Sequence, residues 1–344
     1  MNIHVINPLS DERWDQFVAG HPRASAFHQK GWLQALACTY GYEPFVITSA
    51  SPGEVLRDGL PLCCVSSWIT GNRLVSLPFA DHCEPLLTDG STSLEFMGWL
   101  RAERDQRQYA YVELRPFAAV ADSCPGLVPN RFFYCHRLDL SPSLESIFQR
   151  LHKDSVQRKI QRAEREKLSE VVGQSQELID TFCQLLLMTR RRHQLPPQPR
   201  SWFDNLVACM GDKIQIRLAR KHDRPIAAIL TLRHRSSVVY KYGCSDARFH
   251  NLGGMPFLLW RLIQESKASG VEEIDFGRCD IENEGLSTFK DRFNAQKGIL
   301  TYYRYPNVAP SADERNSQVL RRLFSLLPDA ALRAAGNILY RHMG

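Results

Sequence analysis

Hydrophobic spacing divides the chain into alternating helices and strands. Trp14, Phe17 and Val18 share one helical face within 10–18, and Trp32, Leu33 and Leu36 share another within 28–39. Apolar runs follow at 44–48, 59–67 and 73–77, split by the turn signals Ser51-Pro52-Gly53 and Thr70-Gly71-Asn72. Helical spacing returns over 93–107, and short strands are expected at 111–114 and 134–140. A helix beginning at 141–145, a charged helix over 152–168 and an amphipathic helix over 174–193 come next. Pro196, Pro197 and Pro199 end the last of these. A short helix at 202–210 precedes strands at 214–220, 224–234 and 237–243. A helix over 256–269 is closed by Gly270. A strand at 273–276, a helix at 286–293 and a strand at 299–305 complete the pattern. The strand triplets 45–77 and 214–243, each preceded by helices, look like two copies of one α/β unit.

Length sharpens this picture. With 344 residues the chain is long enough for two domains, each with its own core. Its 44% hydrophobic and 23% charged residues are ordinary for a globular protein. A net charge of +6 suits an anionic ligand but falls short of a dedicated nucleic-acid binder, and no DNA partner is expected. The ten cysteines include no Cys-x-x-Cys pair and mostly sit in apolar runs, a usage that fits a reducing compartment. No secretory leader and no run of about 18 apolar residues is present, so a cytoplasmic protein is expected.

Familiar catalytic motifs are missing. There is no phosphate-loop Gly-x-x-x-x-Gly-Lys, no dinucleotide Gly-x-Gly-x-x-Gly after a first strand, no His-Glu-x-x-His and no Gly-x-Ser-x-Gly. Histidines and cysteines do not fall at zinc-ligand spacings, and no metal is expected. Two stretches do carry candidate chemistry. The strand 238–243 leads into a loop with His250, Asn251, Gly253 and Gly254 and then a helix, an arrangement whose free N–H groups and dipole favour an anion. Farther on, 275–290 places Arg278 at a strand end and Lys290 on the following helix, two cations suited to a phosphate or a developing oxyanion. Cys279 lies between them, but a thiolate there would need a histidine or helix N-terminus beside it.

The order Asp275-Phe276-Gly277-Arg278, Asn283-Glu284-Gly285-Leu286, Phe289-Lys290 and Tyr303-Arg304-Tyr305 resembles the FemAB-like (CelD-type) branch of the GNAT acyltransferase superfamily. So do the helix 155–165 and the segment 26–32. The resemblance covers about residues 10–305 and implies an α/β (α+β) fold. Two tandem GNAT-like units are expected, with mixed, mostly antiparallel sheets flanked by helices. Their bounds are expected at 1–145 and 146–310, the second holding the active site, followed by basic amphipathic helices over 311–344.

It also implies an N-acyltransferase without a tightly bound cofactor. Acyl-CoA or aminoacyl-tRNA would be the co-substrate, and a cell-envelope sugar, peptidoglycan precursor or exopolysaccharide intermediate, lipid-linked in some cases, would supply the amine. By that match Lys290 stabilises the oxyanion, Arg278 orients acceptor phosphate, and Asp275 or Glu284 takes the amine proton. His250, Asn251, Gly253 and Gly254 would hold donor phosphates, His250 standing where the superfamily has Arg or Gln. Tyr240, Lys241, Tyr242, Glu284 and Phe289 would line the substrate groove. Two departures bear on a peptidoglycan substrate: no coiled-coil arm, and no basic residue just after Trp32. The alternative is a catalytically silent GNAT-like scaffold in a membrane-associated polysaccharide complex.

The tail has an apolar stripe, Val319, Leu320, Leu323, Phe324, Leu326 and Leu327, opposite Arg321 and Arg322. After Pro328 come Leu332, Ile338, Leu339 and Tyr340 with Arg333 and Arg341. Such a segment suits either docking on the protein body or peripheral contact with the inner face of the plasma membrane.

Overall fold

The computed structural model describes residues 3–69, 71–87, 90–118, 126–306 and 317–344. Thr70 of the expected turn, Cys124 and the expected start of the tail at 311 lie outside the described residues.

The chain forms two compact units. The first comprises Met1–Phe133, Ile299–Ser317 and Asn337–Gly344, and the second Tyr134–Gly298 and Gln318–Gly336. In chain order the elements to Val112–Leu114 are β1 (His4–Ile6), α1 (Glu12–Gly20), α2 (Lys30–Tyr40), β2 (Pro44–Thr48), β3 (Leu60–Val65), β4 (Arg73–Val75), α3 (Gly90–Arg107) and β5. Strand β6 (Val128–Asp139) leads to α4 (Leu144–Arg150), a π-helical turn (Lys153–Gln157), α5 (Arg158–Arg165), β7 (Ser169–Gly173), α6 (Gln176–Arg192) and α7 (Arg200–Met210). Then come β8 (Ile214–Lys221), β9 (Arg224–His234), β10 (Ser237–Ser245), α8 (Gly254–Ala268), β11 (Glu273–Asp280), α9 (Glu284–Asp291) and β12 (Gln296–Tyr305). Two C-terminal helices, α10 (Ser317–Leu326) and α11 (Asp329–Leu339), follow.

The repeat seen in the sequence is real. Strands run in the order β1-β2-β3-β4-β5-β12 in one unit and β7-β8-β9-β10-β11-β6 in the other. Each run is antiparallel through its first four strands and then has one parallel pair, β4–β5 or β10–β11. The sixth strand of each run comes from outside its own repeat in sequence, β12 in the first and β6 in the second.

Each unit has its own apolar core. Ile47, Leu60, Leu62, Leu74, Phe96, Leu100 and Val112 fill the first. Ile160, Ala227, Ile229, Leu258, Ile263, Ile274, Phe276 and Phe293 are among those that fill the second. At roughly 2 kcal/mol per fully buried large side chain, these clusters are the main stabilising term.

The expected elements are present, with informative differences at their edges. Strands β1 and β7 had no sequence signal because edge strands are short and need only one apolar face. The expected helix 152–168 is instead a π-turn followed by α5. Helix α2 stops where Gly41 adopts the left-handed conformation (φ 70°), as a C-cap requires.

The C-terminal segment docks on the body. Leu332 is fully buried. A Cβ on Gly336 would come within 2.1 Å of the Pro197 carbonyl oxygen, so the helix packs there backbone to backbone. In the first unit Tyr42 donates to the Arg341 carbonyl at 2.8 Å.

Candidate active site

The site arises where two parallel strands of the second unit part. Strands β10 and β11 pair from Ser237↔Glu273 to Val239↔Asp275, although β10 continues to Ser245 and β11 to Asp280. Two local features drive the separation. On β10 the register with β9 steps from Tyr240↔Thr231 to Tyr242↔Leu230, so Lys241 is the extra residue of a β-bulge. On β11 Gly277 adopts φ 70°, which glycine tolerates best.

The β11 kink is braced from both sides. Asp275 accepts a hydrogen bond from the Gly277 N–H at 2.7 Å. Lys290, only 2% exposed, donates to the carbonyls of Gly277 at 2.8 Å and Arg278 at 3.0 Å. A buried ammonium needs such acceptors. Beside it, the Cys279 thiol donates to the Asp280 and Asn283 carbonyls, and burial raises its pKa.

Between the end of β10 and the helices around it lies a cavity of about 300 Å³. Strand β10 lines it with Tyr240, Gly243 and Ser245, α8 with Gly254 and Met255, and α9 with Leu286, Phe289 and Arg292. Lys159 of α5 and Arg192 at the end of α6 add positive charge, and His193 lines the cavity beside them. The π-turn delivers this arrangement. His152 accepts from the Ser155 N–H at 3.3 Å, and the His152 N–H bonds the Arg292 carbonyl at 2.9 Å, tying the start of α5 to the end of α9. Ser155 and Lys159 then reach the cavity together. π-Turns of this kind recur at functional sites.

A polar network crosses the cavity wall. Ser245 Oγ and His250 Nε2 are hydrogen-bonded at 2.8 Å. The Ser245 carbonyl accepts from Arg192 at 3.3 Å, and its N–H donates to Thr189 Oγ1 at 2.9 Å. Burial, and after it the nearby Arg192 and Lys159 charges, lowers the pKa of His250 below its ordinary value. The imidazole is therefore neutral at pH 7 and able to accept a proton.

The acetyltransferase (GNAT) domain family matches residues 150–291, which include every helix and strand that builds this cavity. That stretch is a GNAT-type acyltransferase domain. The fold is similar to that of FemX, with a TM-score of 0.68 at 12% identity over 93% of this chain and 100% of that one. It is also similar to a C-terminal (DUF2156) domain assigned to a lysylphosphatidylglycerol synthetase of Agrobacterium fabrum. There the TM-score is 0.57 at 14% identity over 91% and 95% of the two chains. A tandem GNAT protein from the clavulanic acid biosynthesis pathway matches with a TM-score of 0.52 at 9% identity, over 88% and 98%. No curated protein matches the sequence.

Of the residues singled out in the acyltransferase sequence, Tyr240, His250, Gly254 and Phe289 line the cavity. The others serve it from outside or face elsewhere. Lys290 and Asp275 hold the β11 kink rather than facing the cavity. Arg278 contributes its carbonyl to that brace. Asn251 and Gly253 lie in the loop before α8, and Gly253 (φ 79°) is glycine because a Cβ would sit 2.4 Å from the Lys159 carbonyl oxygen. Glu284 is exposed at the start of α9.

The expected Tyr240-Lys241-Tyr242 row is split by the bulge. Tyr240 joins the core edge-on to Phe276, with centroids 6.1 Å apart. Tyr242 turns to α7, accepting from Trp202 Nε1 at 3.0 Å. Lys241 rests over the Tyr242 ring. Strand alternation would have kept both tyrosines on one face, and one extra residue reverses that.

Sequence reading missed Lys159, Arg192, Ser245 and Arg292. The Arg190-Arg191-Arg192-His193 run was the available signal, but cations at a helix C-terminus are common for dipole reasons alone.

Proposed function

We propose that this acyltransferase moves an acyl or aminoacyl group from a phosphate-bearing donor, acyl-CoA or aminoacyl-tRNA, to an amine of a cell-envelope acceptor. A sugar, a peptidoglycan precursor or an exopolysaccharide intermediate fits that description, and the reaction is placed in the cytoplasm. The carrying observation is the cavity along the end of β10, rimmed by Lys159, Arg192 and Arg292. Cations with a helix N-terminus beside them suit donor phosphates. The names of two similar structures, FemX and a lysylphosphatidylglycerol synthetase domain, support an aminoacyl donor and an envelope acceptor.

In this reading the acceptor nitrogen attacks the donor carbonyl directly. A C–N bond forms, the C–S or C–O bond to the carrier breaks, and the amine proton passes to neutral His250. Asp275 and Glu284 are less suited to that transfer, one being committed to the Gly277 N–H and the other lying off the cavity. Lys290 acts by fixing the end of β11, with Arg278 beside it. Among the described residues no helix is long and apolar enough to cross a membrane.

Thermal-shift and turnover measurements with acetyl-CoA, longer acyl-CoAs and a charged tRNA pool test this reading. Stabilisation by one donor class, with transfer to an amine acceptor, is expected. Stabilisation by none of them would overturn it.

A further inference from the structure

Direct attack on an acyl carbonyl builds negative charge on its oxygen, and a hydrogen-bond donor placed beside that oxygen speeds the step. Lys290, the residue the sequence points to, gives its ammonium to the Gly277 and Arg278 carbonyls instead. The task is left to another group.

Tyr240 is 9% exposed and lines the cavity. Its hydroxyl has no hydrogen-bond partner among the described residues. Buried hydroxyls nearly always have one, so an exception calls for a cause. The ring is fixed edge-on to Phe276, which holds the hydroxyl in one place. That place exists because residue 243 is glycine. A Cβ there would lie 1.8 Å from Tyr240 Oη and 3.0 Å from the Met255 methyl. No left-handed backbone requires this glycine, so the close approach of the hydroxyl is its reason.

The bulge at Lys241 sets Tyr240 on the face of β10 that Gly243 and Ser245 share by alternation. Ser245 Oγ holds His250, the proton acceptor of the proposed reaction, at 2.8 Å. Two residues of strand span about 7 Å. A tetrahedral carbon between hydroxyl and imidazole would meet a hydrogen-bond donor on one side and a base on the other. Burial raises the phenol pKa, so the hydroxyl keeps its proton at neutral pH.

We propose that Tyr240 is a catalytic residue whose hydroxyl donates a hydrogen bond to the acyl carbonyl oxygen as that oxygen becomes an oxyanion. The proposal rests on the acyl-transfer reading of the cavity. The phenol proton stays on Oη throughout, and the hydrogen bond strengthens as charge develops and relaxes when the carrier leaves.

Tyr240→Phe removes one oxygen and keeps the ring. With the donor and amine that the screen above turns over, kcat should fall ~100-fold. Donor affinity by titration calorimetry should stay within about twofold of the parent. The thermal midpoint should hold or rise, since an unpaired buried hydroxyl is lost. Gly243→Ala puts a methyl where the hydroxyl stands. It should lower kcat in the parent and add little to the loss in Tyr240→Phe. A kcat for Tyr240→Phe within about threefold of the parent, or a lowered midpoint, would overturn this proposal and leave the acyl-transfer reading standing. No turnover by the parent with any donor would overturn both.

Discussion

The two units share a strand order yet treat the same topological point in opposite ways. In the second, β10 and β11 part beyond Val239↔Asp275, and the end of β10 lines a cavity. In the first, β4 and β5 are stitched together beyond their paired residues. The Ser76 N–H bonds the Glu113 carbonyl at 2.8 Å, and Ser76 Oγ accepts from the Arg115 N–H at 2.8 Å. Buried Glu113 is clamped by Arg115 at 2.9 Å and Arg304 at 2.8 Å, and Arg115 reaches on to the Leu77 carbonyl. The chain then folds back with left-handed backbone at Leu77 and Phe79, and Tyr302 ties down the Asp81 carbonyl at 2.6 Å. A parallel pair therefore supplies a place for a site but not the site itself. Whether it opens depends on what braces the strand ends.

The largest effect should come from unsealing the closed pair. Glu113→Ala removes the anion between two buried guanidiniums, which should cost roughly 3–5 kcal/mol in chemical denaturation. Donor binding in the second unit should survive at temperatures where the variant stays folded. A matching acid limb is expected in the parent. Burial pushes the Glu113 pKa up, but Arg115 and Arg304 outweigh it and hold the carboxyl at about 2, below the model-compound 4.5. A depressed folded pKa gives stability that is complete above 4.5 and lost as pH falls toward 2, roughly 3 kcal/mol in all. A pH series of denaturation midpoints that shows no such loss would remove Glu113 as the seal.

Loosening the open pair comes next. Lys290→Met leaves the Gly277 and Arg278 carbonyls without their ammonium, at about 2–3 kcal/mol. Turnover should fall with the kink, and Lys290→Arg should restore stability better than activity. If Lys290→Met left both unchanged, the brace would have no role.

Backbone fit at the cavity is the third comparison. Gly253→Ala faces both φ 79° and the Lys159 carbonyl at 2.4 Å, whereas Gly41→Ala faces only φ 70° with nothing within 4 Å. The first should cost at least ~2 kcal/mol and weaken the donor, and the second about 1 kcal/mol without touching binding. Equal losses would mean that α5 moves aside freely.

The smallest effects on stability should be the most specific for function. Arg192→Gln should weaken donor binding roughly tenfold by titration calorimetry, with an unchanged denaturation midpoint. His250→Gln should flatten the acidic limb of kcat/KM. That limb falls below 6.5 in the parent because only neutral imidazole accepts the proton and its pKa is lowered. A limb that persisted unchanged in His250→Gln would assign the proton to another group.

Periodicity alone determined most of the elements, because amphipathic spacing follows from burying one face of a helix or strand. The triplets 45–77 and 214–243 disclosed the repeat, and the strand, glycine loop and helix from 238 onward located the cavity wall. Positions after Val239 were another matter. One inserted residue at Lys241 sent Tyr240 and Tyr242 to opposite faces, and strand alternation carries no warning of a bulge. Lys290 read as an active-site cation because a lysine on a helix is normally drawn outward by hydration. Only the packed structure supplied the two carbonyls that let it point inward. Lys159, Arg192 and Arg292 come from three helices far apart in sequence, and their convergence required the π-turn, the end of α6 and the close approach at Gly253. Local pattern, in short range, set what each segment is. Long-range packing decided which strand pair opened and which charges came to face the opening.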